Sequence, residues 1–425
     1  MSALRPYQVD VLERASAATE HHQSILIVSP TGTGKTCIAV EACVRHAVMG
    51  GRPLFVVPRR ELAEQASKIL AAHGLTNCVH TIQGLMKMDA SIPNATMVVL
   101  DEARHYVAEQ WGKIKTALPD AVYLGLDATP ERGDGVGLAP FFTILIESIS
   151  IREATEQGWL VPCEVIRPER ALGVDLAQDP FGAWMQHAKG LSTVIFVRTV
   201  EDAIRLADRI NTEFSRVHAA AVWGDMLTSD RDQVLADFAE GNIGVLVNVQ
   251  LLTEGYDCPR IECVILARNF ATAGGLLQAA GRGLRPYPGK DRCLLIDLPG
   301  CTHTLGDVDE PRTWHLDGRA ARRASDSPLA RYCPVCGSVT ETASCAQCGF
   351  DGEMKKRKPR VLGLPMDRFA RDRAKPEEQQ IKALAGYIRA ARSRGYKDHW
   401  AYKCWSHRYG RPVTAEIQRA AFKLI

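Results

Sequence analysis

The segment SPTGTGKT has the composition of a loop that binds phosphate groups. It follows the apolar run SILIV and precedes a stretch with a helical pattern, CIAVEACVRHAV. Gly32 and Gly34 allow backbone N–H groups to turn toward phosphate oxygens, and a helix start adds further donors. Lys35 can reach the β- and γ-phosphates of a nucleotide, and the Thr36 hydroxyl can hold Mg²⁺. The strand–loop–helix context favours this interpretation over an ordinary glycine-rich turn.

Two adjacent acids, Asp101 and Glu102, follow the apolar run TMVVL. The carboxyl ends of parallel strands form the sheet edge at which α/β proteins bind ligands. Asp101 can therefore complete the Mg²⁺ site, and Glu102 can orient and deprotonate an attacking water. Adjacent carboxylates are also common as plain surface charges, but a position 66 residues after Lys35 favours the catalytic interpretation.

The segment LLQAAGRGLRP places Arg282 and Arg285 one helical turn apart, which predicts that they share a helix face. Phosphoryl transfer needs cations near the γ-phosphate, and an arginine in that position is worth about 10³–10⁵ in rate. The alternative is an exposed helix with two arginines. A second polar loop, with Thr253, Gly255 and Asp257, follows the apolar run GVLVNV.

Four of the 13 cysteines form the pattern C-x₂-C-x₈-C-x₂-C. Paired cysteines at this spacing are typical of a tetrahedral zinc site, and four thiolates make such a site structural rather than catalytic. The predicted Zn²⁺ ligands are Cys333, Cys336, Cys345 and Cys348. A disulfide pair and a redox dithiol are the alternatives.

The composition is that of an ordinary globular protein, with 425 residues, 46% hydrophobic and 24% charged. No apolar run approaches the roughly 18 residues that a membrane span needs, and no secretory signal pattern is visible at the start. The remaining cysteines are scattered, as expected of a reduced compartment. We therefore expect a cytoplasmic protein without a membrane partner.

The charge is distributed unevenly along the chain. The net charge is +3, but residues 353–425 carry 19 Lys and Arg against 7 Asp and Glu, so the other 352 residues carry −9. A basic tail on an acidic body indicates an anionic polymer as partner, although a solvated helical surface would give the same count. Aromatic residues among these charges, such as Trp400, Trp405 and Tyr409, could stack on bases while cations such as Arg408 meet phosphates. The same aromatic residues could instead form the buried stripe of a small helical domain. The stripe is the favoured interpretation for the tryptophans.

Short apolar runs alternate with helical patterns over the first 300 residues, which predicts an α/β fold with parallel sheets. The predicted strands are SILIV (24–28), LFVV (54–57), TMVVL (96–100), AVYLGL (121–126), TVIFV (193–197), GVLVNV (244–249), CVILA (263–267) and CLLIDL (293–298). The predicted domains are two α/β lobes, a linker, a zinc ribbon and a basic helical tail. Their expected bounds are 1–150, 151–305, 306–330, 331–352 and 353–425.

Taken together and in this order, the motifs resemble those of superfamily 2 helicases, in the branch with DEAH-like boxes that includes restriction-subunit and repair-type translocases. The resemblance covers about residues 3–300. It rests on LRPYQ, SPTGTGKT, VVPRREL, TIQGL, DEAR, DATP, VIFVRTVEDA, LLTEGYDCP and QAAGRGLRP. It implies two RecA-like lobes with ATP and Mg²⁺ in the cleft between them and nucleic acid across both.

The resemblance also assigns residue roles. Gln278 joins Lys35, Asp101, Glu102, Arg282 and Arg285 as catalytic. The implied nucleotide contacts are Gln8, Thr31, Gly32, Thr33, Gly34, Lys35, Thr36, Gly255 and Asp257. The implied nucleic-acid contacts are Arg59, Arg60, Thr81, Gln83 and Thr253.

The chain departs from the family at Arg104, where His or Asp is usual. An arginine at this position could pair with Asp127. Coupling of the ATP site to the later motifs is therefore in question, although the hydrolytic residues are present.

These observations predict an ATP-dependent nucleic-acid helicase or translocase that acts on DNA. An RNA helicase is the first alternative, because phosphate contacts hardly distinguish the two sugars. A nucleic-acid-binding adaptor with a switch-like ATPase and no unwinding is the second. A nuclease or a replication or repair protein could be a partner chain. Since every ATP motif lies before residue 306, removal of the zinc ribbon and tail should leave the basal ATPase intact.

Overall fold

The computed structural model describes residues 4–88, 93–106, 108–130, 137–214, 217–249, 251–253, 256–317, 331–332, 339–340, 360–369, 377–409 and 412–425. The chain forms two compact units. One consists of Met1–Ile151 and Pro311–Ala320, and the other of Arg152–Glu310 and Ala321–Ile425. Within the described residues, no helix has both the length and the apolar composition needed to cross a bilayer.

The first unit contains a six-stranded parallel sheet with the order β3-β2-β4-β5-β1-β6. Its strands are β1 (Ser24–Val28), β2 (Pro53–Val57), β3 (Val79–Thr81), β4 (Met97–Asp101), β5 (Val122–Asp127) and β6 (Ile144–Glu147). Its helices are α1 (Pro6–Ala18), α2 (Lys35–Val48), α3 (Arg60–Ala71), α4 (Ile82–Lys87) and α5 (Ala108–Ala117). Because both sheet faces are covered, β1 and β4 are buried along their whole length.

Part of the predicted linker belongs to the core of the first unit. The Leu316 carbonyl accepts hydrogen bonds from the N–H groups of Leu138 and Ala139, at 2.6 and 2.9 Å. The side chains of Trp314 and Leu316 pack against the apolar cluster that contains Trp111. The prediction of a linker over 306–330 was therefore wrong for 311–317, because two large apolar side chains find a buried surface there.

The second unit contains a seven-stranded sheet with the order β15-β7-β12-β11-β8-β10-β9. Its strands are β7 (Cys163–Arg167), β8 (Thr193–Phe196), β9 (Ala219–Trp223), β10 (Val245–Val249), β11 (Cys263–Leu266), β12 (Cys293–Asp297) and β15 (Asp367–Phe369). Its helices are α6 (Ile151–Glu156), α7 (Pro180–His187), α8 (Val200–Glu213), α9 (Thr228–Glu240), α10 (Ala273–Gly281), α11 (Cys301–Leu305), α12 (Glu377–Ser393), α13 (Asp398–Tyr409) and α14 (Ala415–Phe422). All pairings are parallel except that of β15 with β7.

The predicted fold class is confirmed. Each of the eight predicted strands is present within one residue of its expected bounds. A short antiparallel pair, β13 (Arg331–Tyr332) with β14 (Val339–Thr340), accompanies the two larger sheets.

The described part of the tail is a structural part of the second unit. β15 extends the sheet at β7, and α12 packs against the chain just after α6. Trp400, Trp405 and Tyr409 are buried, which confirms the stripe interpretation and makes base stacking by these three residues wrong. Arg408 is also buried, with its Nη2 atom 3.1 Å from Glu156 Oε1, so the predicted phosphate contact of Arg408 was wrong as well.

Candidate active site

The phosphate loop lies between β1 and α2 at the carboxyl edge of the first sheet. Gly32 and Gly34 adopt left-handed backbone, with φ of 87° and 86°. The left-handed φ favours glycine at position 34, and a Cβ atom there would lie 2.6 Å from Gln8 Nε2 and displace that amide. α2 begins at Lys35, which puts the N-terminal N–H groups of a 14-residue helix beside the loop.

Side chains of α1 fix the conformation of the phosphate loop through hydrogen bonds to its backbone. The Thr33 carbonyl accepts hydrogen bonds from Tyr7 Oη at 2.5 Å and from Gln8 Nε2 at 2.9 Å. The Ser29 and Thr33 hydroxyls are 2.8 Å apart, and the Ser148 hydroxyl donates to Ser29 at 2.8 Å. Gln8 therefore holds the loop, while its predicted adenine contact stays a prediction.

Asp101 and Glu102 lie beside this loop at the end of β4. Glu102 adopts φ 49° and ψ 54°, a left-handed conformation that is unusual for a residue other than glycine and is found most often at functional sites. Its backbone N–H donates to Asp101 Oδ1 at 3.0 Å. Glu102 Oε1 lies 3.9 Å from Lys35 Nζ, so the two sequence motifs meet in one place.

Arg104 links this acidic motif to the end of β5, and its predicted pair with Asp127 is confirmed. Its Nη1 atom donates to Asp127 Oδ1 and, at 2.6 Å, to Glu102 Oε2. Asp127 is fully buried and also accepts the backbone N–H groups of Arg104, at 2.9 Å, and Thr129, at 3.0 Å. Burial raises the pKa of the Asp127 carboxyl, and the guanidinium of Arg104 opposes that rise.

The electrostatics of the site suit a divalent cation. Burial and the charge of Glu102 raise the pKa of Asp101 to about 7, while Lys35 opposes the shift. The described residues hold no group of three or more His, Cys, Asp or Glu side chains that would bind a metal alone. Mg²⁺ usually takes one or two carboxylates together with water and substrate phosphates. Asp101 supplies one such carboxylate, and the part of Thr36 in the Mg²⁺ site stays a prediction.

In the second unit, Arg282 and Arg285 converge on one carbonyl. Arg282 Nη1 donates to the Tyr256 oxygen at 2.7 Å, and Arg285 Nη1 lies 3.3 Å from the same atom. Arg285 also pairs with Asp257 at 2.7 Å. Gln278 is buried in α10, the preceding helix.

The prediction that the two arginines share a helix face was wrong. α10 ends at Gly281, and Arg282 is its C-cap. The N–H groups of Arg282 and Gly283 bond to residues three positions earlier, which tightens the last turn and ends the helix. The chain then turns where only glycine fits, because a Cβ at position 283 would lie 2.2 Å from Cys293 Sγ.

Four of the five predicted nucleic-acid contacts lie at helix starts of the first unit. Arg59 is the N-cap of α3, and Arg60 is exposed and pairs with Glu64 at 3.0 Å. The Thr81 hydroxyl caps α4 by accepting the Gly84 N–H at 3.1 Å, and Gln83 is exposed on that helix. All four keep polar atoms near the surface, and their role stays a prediction.

Several predicted site residues lie outside the described part of the chain. They are Gly255, the side chain of Thr253, and the cysteines Cys333, Cys336, Cys345 and Cys348. The zinc site is therefore also outside it.

Sequence reasoning missed three residues that shape the sites. Tyr7 bonds the phosphate loop, the Tyr256 carbonyl receives both arginines, and buried Lys290 bonds the backbone next to them. Tyr7 lies within the LRPYQ motif, so the sequence offered a signal for it. A backbone carbonyl and a buried lysine leave no pattern in the sequence.

Two family models match the chain. The model described as the type III restriction enzyme res subunit matches residues 1–78, and the helicase conserved C-terminal domain matches residues 178–286. A 51.5 kDa protein of a Lactococcus phage (isolate 7-9) is 28% identical over 362 residues, or 78% of this chain and 79% of that protein. Irc3 of Schizosaccharomyces pombe, provisionally described as a mitochondrial ATP-dependent helicase, is 27% identical over 69% of this chain. The match spans 57% of irc3.

Solved structures show the same fold. A fragment assigned to the HsdR subunit of a type I restriction enzyme from Vibrio vulnificus has a TM-score of 0.58 at 22% identity, over 74% of this chain and 67% of that one. The type ISP restriction-modification enzyme LlaBIII, bound to DNA, has a TM-score of 0.50 at 17% identity, over 70% of this chain and 28% of that one. A variant of Saccharomyces cerevisiae Dbp5, bound to RNA and ADP BeF3, has a TM-score of 0.51 at 19% identity. The match covers 69% of this chain and 87% of that one.

The fold, the phosphate loop and these matches define an ATP-hydrolysing enzyme with tandem RecA-like units. The chain is similar to Irc3-like helicases and carries two helicase-type family domains, so it is an ATP-dependent nucleic-acid helicase or translocase.

Proposed function

We propose that this chain is a DNA-dependent ATPase that moves along a DNA strand. The observation that carries the proposal is the meeting of Lys35, Asp101 and Glu102 beside a loop built to hold phosphates. DNA is favoured because the family model over residues 1–78 is that of a restriction subunit and LlaBIII was solved bound to DNA. Dbp5, solved with RNA, supports the RNA alternative.

The proposed chemistry is hydrolysis of the γ-phosphate by water. Lys35 and the N–H groups of the loop hold the phosphate oxygens, and Thr36 with Asp101 would hold Mg²⁺. A bound Mg²⁺ would neutralise charge on those oxygens. Glu102 accepts the proton of the attacking water as its oxygen bonds to phosphorus and the bond to ADP breaks.

Arg104 gives a reason to consider a second function, a nucleic-acid-dependent ATPase switch without unwinding. Its guanidinium contacts the proposed base, Glu102, and also Asp127 at the next strand end. The ion pair with Arg104 orients the carboxylate of Glu102. Because Arg104 also contacts Asp127, a movement of Glu102 would be coupled to Asp127. Strand displacement from a partial duplex, measured beside ATP turnover, separates a motor from a switch.

The deciding experiment measures ATP turnover with single-stranded DNA, duplex DNA and RNA, for wild type and Glu102→Gln. We expect DNA to stimulate turnover and Glu102→Gln to lower it about 10²–10⁴-fold, the range for loss of a general base. ATP binding, measured separately, should persist in Glu102→Gln. Lys35→Ala is the matched comparison, because it should lose ATP binding itself. Stimulation by RNA alone would overturn the DNA assignment.

We also propose that Cys333, Cys336, Cys345 and Cys348 hold one structural Zn²⁺. Support comes from their spacing and from the β13–β14 pair, since Tyr332 at the end of β13 directly precedes Cys333. Metal analysis of purified protein should give zinc at 1:1, and Cys345→Ser should lose it. Zinc retained by Cys345→Ser would remove this residue from the ligand set. A cytoplasmic location and a nuclease or repair partner stay predictions from the sequence.

A further inference from the structure

Lys290 is a buried lysine that follows the turn containing Arg282 and Arg285. It is 2% exposed, and its ammonium donates to the carbonyls of Arg285 at 2.8 Å and Pro259 at 3.1 Å. Lysines are rarely buried to this degree, because removing the charge from water is costly unless it is hydrogen-bonded. Burial lowers the pKa of Lys290 to about 8. Burial of such a group costs stability, and the two carbonyls offset that cost.

The two carbonyls belong to the same two loops that the arginines connect. The Tyr256 carbonyl accepts hydrogen bonds from Arg282 and Arg285. Lys290 joins the Pro259 and Arg285 carbonyls, so its ammonium bonds the backbone of both loops. The position of Arg285 is therefore fixed through its side chain and through its own carbonyl.

The C-terminal helices hold Lys290 in turn. Trp400, on α13, donates its indole N–H to the Lys290 carbonyl. The Trp400 ring is buried and lies against the rings of Tyr387 and Tyr396, with centroids 6.4 and 5.5 Å away. Few alternative positions are open to this indole.

α12 anchors these helices against the rest of the unit. A Cβ atom at Gly386 would lie 1.9 Å from the Glu156 carbonyl oxygen, and one at Gly158 would lie 2.3 Å from Ala390 Cβ. The backbones are therefore in direct contact. Arg394 adds a hydrogen bond to the Gly158 carbonyl. This packing gives the indole of Trp400 a rigid support.

We propose that Lys290 is a positioning residue for Arg282 and Arg285, and that the C-terminal helices set it through Trp400. The inference rests on the proposed catalytic role of the two arginines. Its physical basis is preorganisation, since cations that stabilise developing charge are effective only when held in place beforehand. The tail then acts on catalysis indirectly, through the one indole that holds Lys290.

The test uses substitutions that remove donors and keep packing. Lys290→Met retains an aliphatic stem of similar length, and we expect it to lower kcat for ATP about tenfold with KM within about twofold. Trp400→Phe removes the indole N–H that bonds Lys290, and we expect kcat to fall about threefold. Trp405→Phe is the matched control. This indole is also buried, but it donates to the Gln380 carbonyl on α12 and does not contact Lys290 through that bond. Its kcat should equal wild type although its melting temperature falls similarly.

The outcomes separate the two layers of the proposal. Wild-type kcat in Arg282→Ala would show that the arginine has no catalytic role, and the proposed function would fail there. Loss in Arg282→Ala with wild-type kcat in folded Lys290→Met would overturn the positioning role alone. Should Lys290→Met fail to fold, the tryptophan pair still decides. Equal kcat losses in Trp400→Phe and Trp405→Phe would mean that the helices supply only stability.

Discussion

The two units are built on similar parallel sheets, yet they place opposite charges at their functional loops. The first unit buries the carboxylates of Asp101 and Asp127, which are bonded by Arg104 and by backbone N–H groups. The second unit buries Arg282 and Lys290, which are bonded by backbone carbonyls. One fold thus produces a site that favours cations and another that favours anions. Polar groups at the loops decide which, and the sheets only supply the frame.

The units also differ in how they are completed. Pro311–Ala320 returns to the first unit, whereas the second unit takes the described tail, with an edge strand and three helices. We therefore expect damage to the tail to act on the second unit alone.

Removal of residues 360–425 should have the largest effect. It exposes the edge of β7 and the apolar surface under α12, so we expect the second unit to lose its cooperative unfolding and the protein its ATPase. This replaces the expectation that truncation leaves ATPase intact. Thermal unfolding and turnover of the truncated chain are the measurements. A truncated chain with wild-type turnover would show that the packing of the tail is dispensable.

Arg282→Ala should reduce turnover by about 10³-fold or more, while ATP binding by the first unit is retained. The charge that it contributes matters only as negative charge develops during phosphoryl transfer. Arg292→Ala is a suitable control, because Arg292 pairs with Glu164 in the same unit at 3.0 Å. Equal losses of turnover in both variants would mean that the loss of any positive charge from this unit lowers turnover, wherever that charge lies.

Arg104→Met should destabilise the first unit by about 3–5 kcal/mol, because it leaves the buried carboxylate of Asp127 without its ion-pair partner. Arg60→Met removes an exposed pair with Glu64 and should cost less than about 1 kcal/mol. Urea unfolding of both variants measures the difference. If the two changes cost the same, Asp127 is compensated by its N–H donors alone.

The smallest expected effect is that of Lys290 on how the free energy of unfolding depends on pH. Its pKa is about 8 when folded and near the ordinary 10.5 when unfolded. The unfolded chain therefore binds more protons between these values, and stability rises with pH across this window. Relative to Lys290→Met, wild type should gain about 1 kcal/mol between pH 7.5 and 9. The nearby charges that act on it are Arg285, Glu262, Cys258 and Cys293. Parallel pH curves for the two proteins would contradict the burial of a charged ammonium.

Sequence alone was sufficient for the four inner strands of the first sheet and for its phosphate loop, whereas the edge strands β3 and β6 were missed. Continuous apolar runs predict buried parallel strands, and glycines at fixed spacing before a lysine predict the loop, because both depend on neighbouring residues. The strands that were missed show the limit. β15 has the sequence Asp367–Phe369, with two charged residues of three, and it is a strand only because the edge of β7 offers hydrogen-bond partners.

The acidic motif was foreseeable, but its connections were decided by tertiary structure. Asp101 and Glu102 could be predicted from a strand end, and the pair of Arg104 with Asp127 from charge. The convergence of Arg282 and Arg285 on the Tyr256 carbonyl, and of Lys290 on the backbone around them, could not. Backbone oxygens are common to all residues, so only the path of the chain determines which oxygen meets a buried cation. The tail was foreseeable in part: a buried aromatic stripe was the favoured interpretation, but the surface around Glu156 and Gly158 on which the tail packs was decided by tertiary structure.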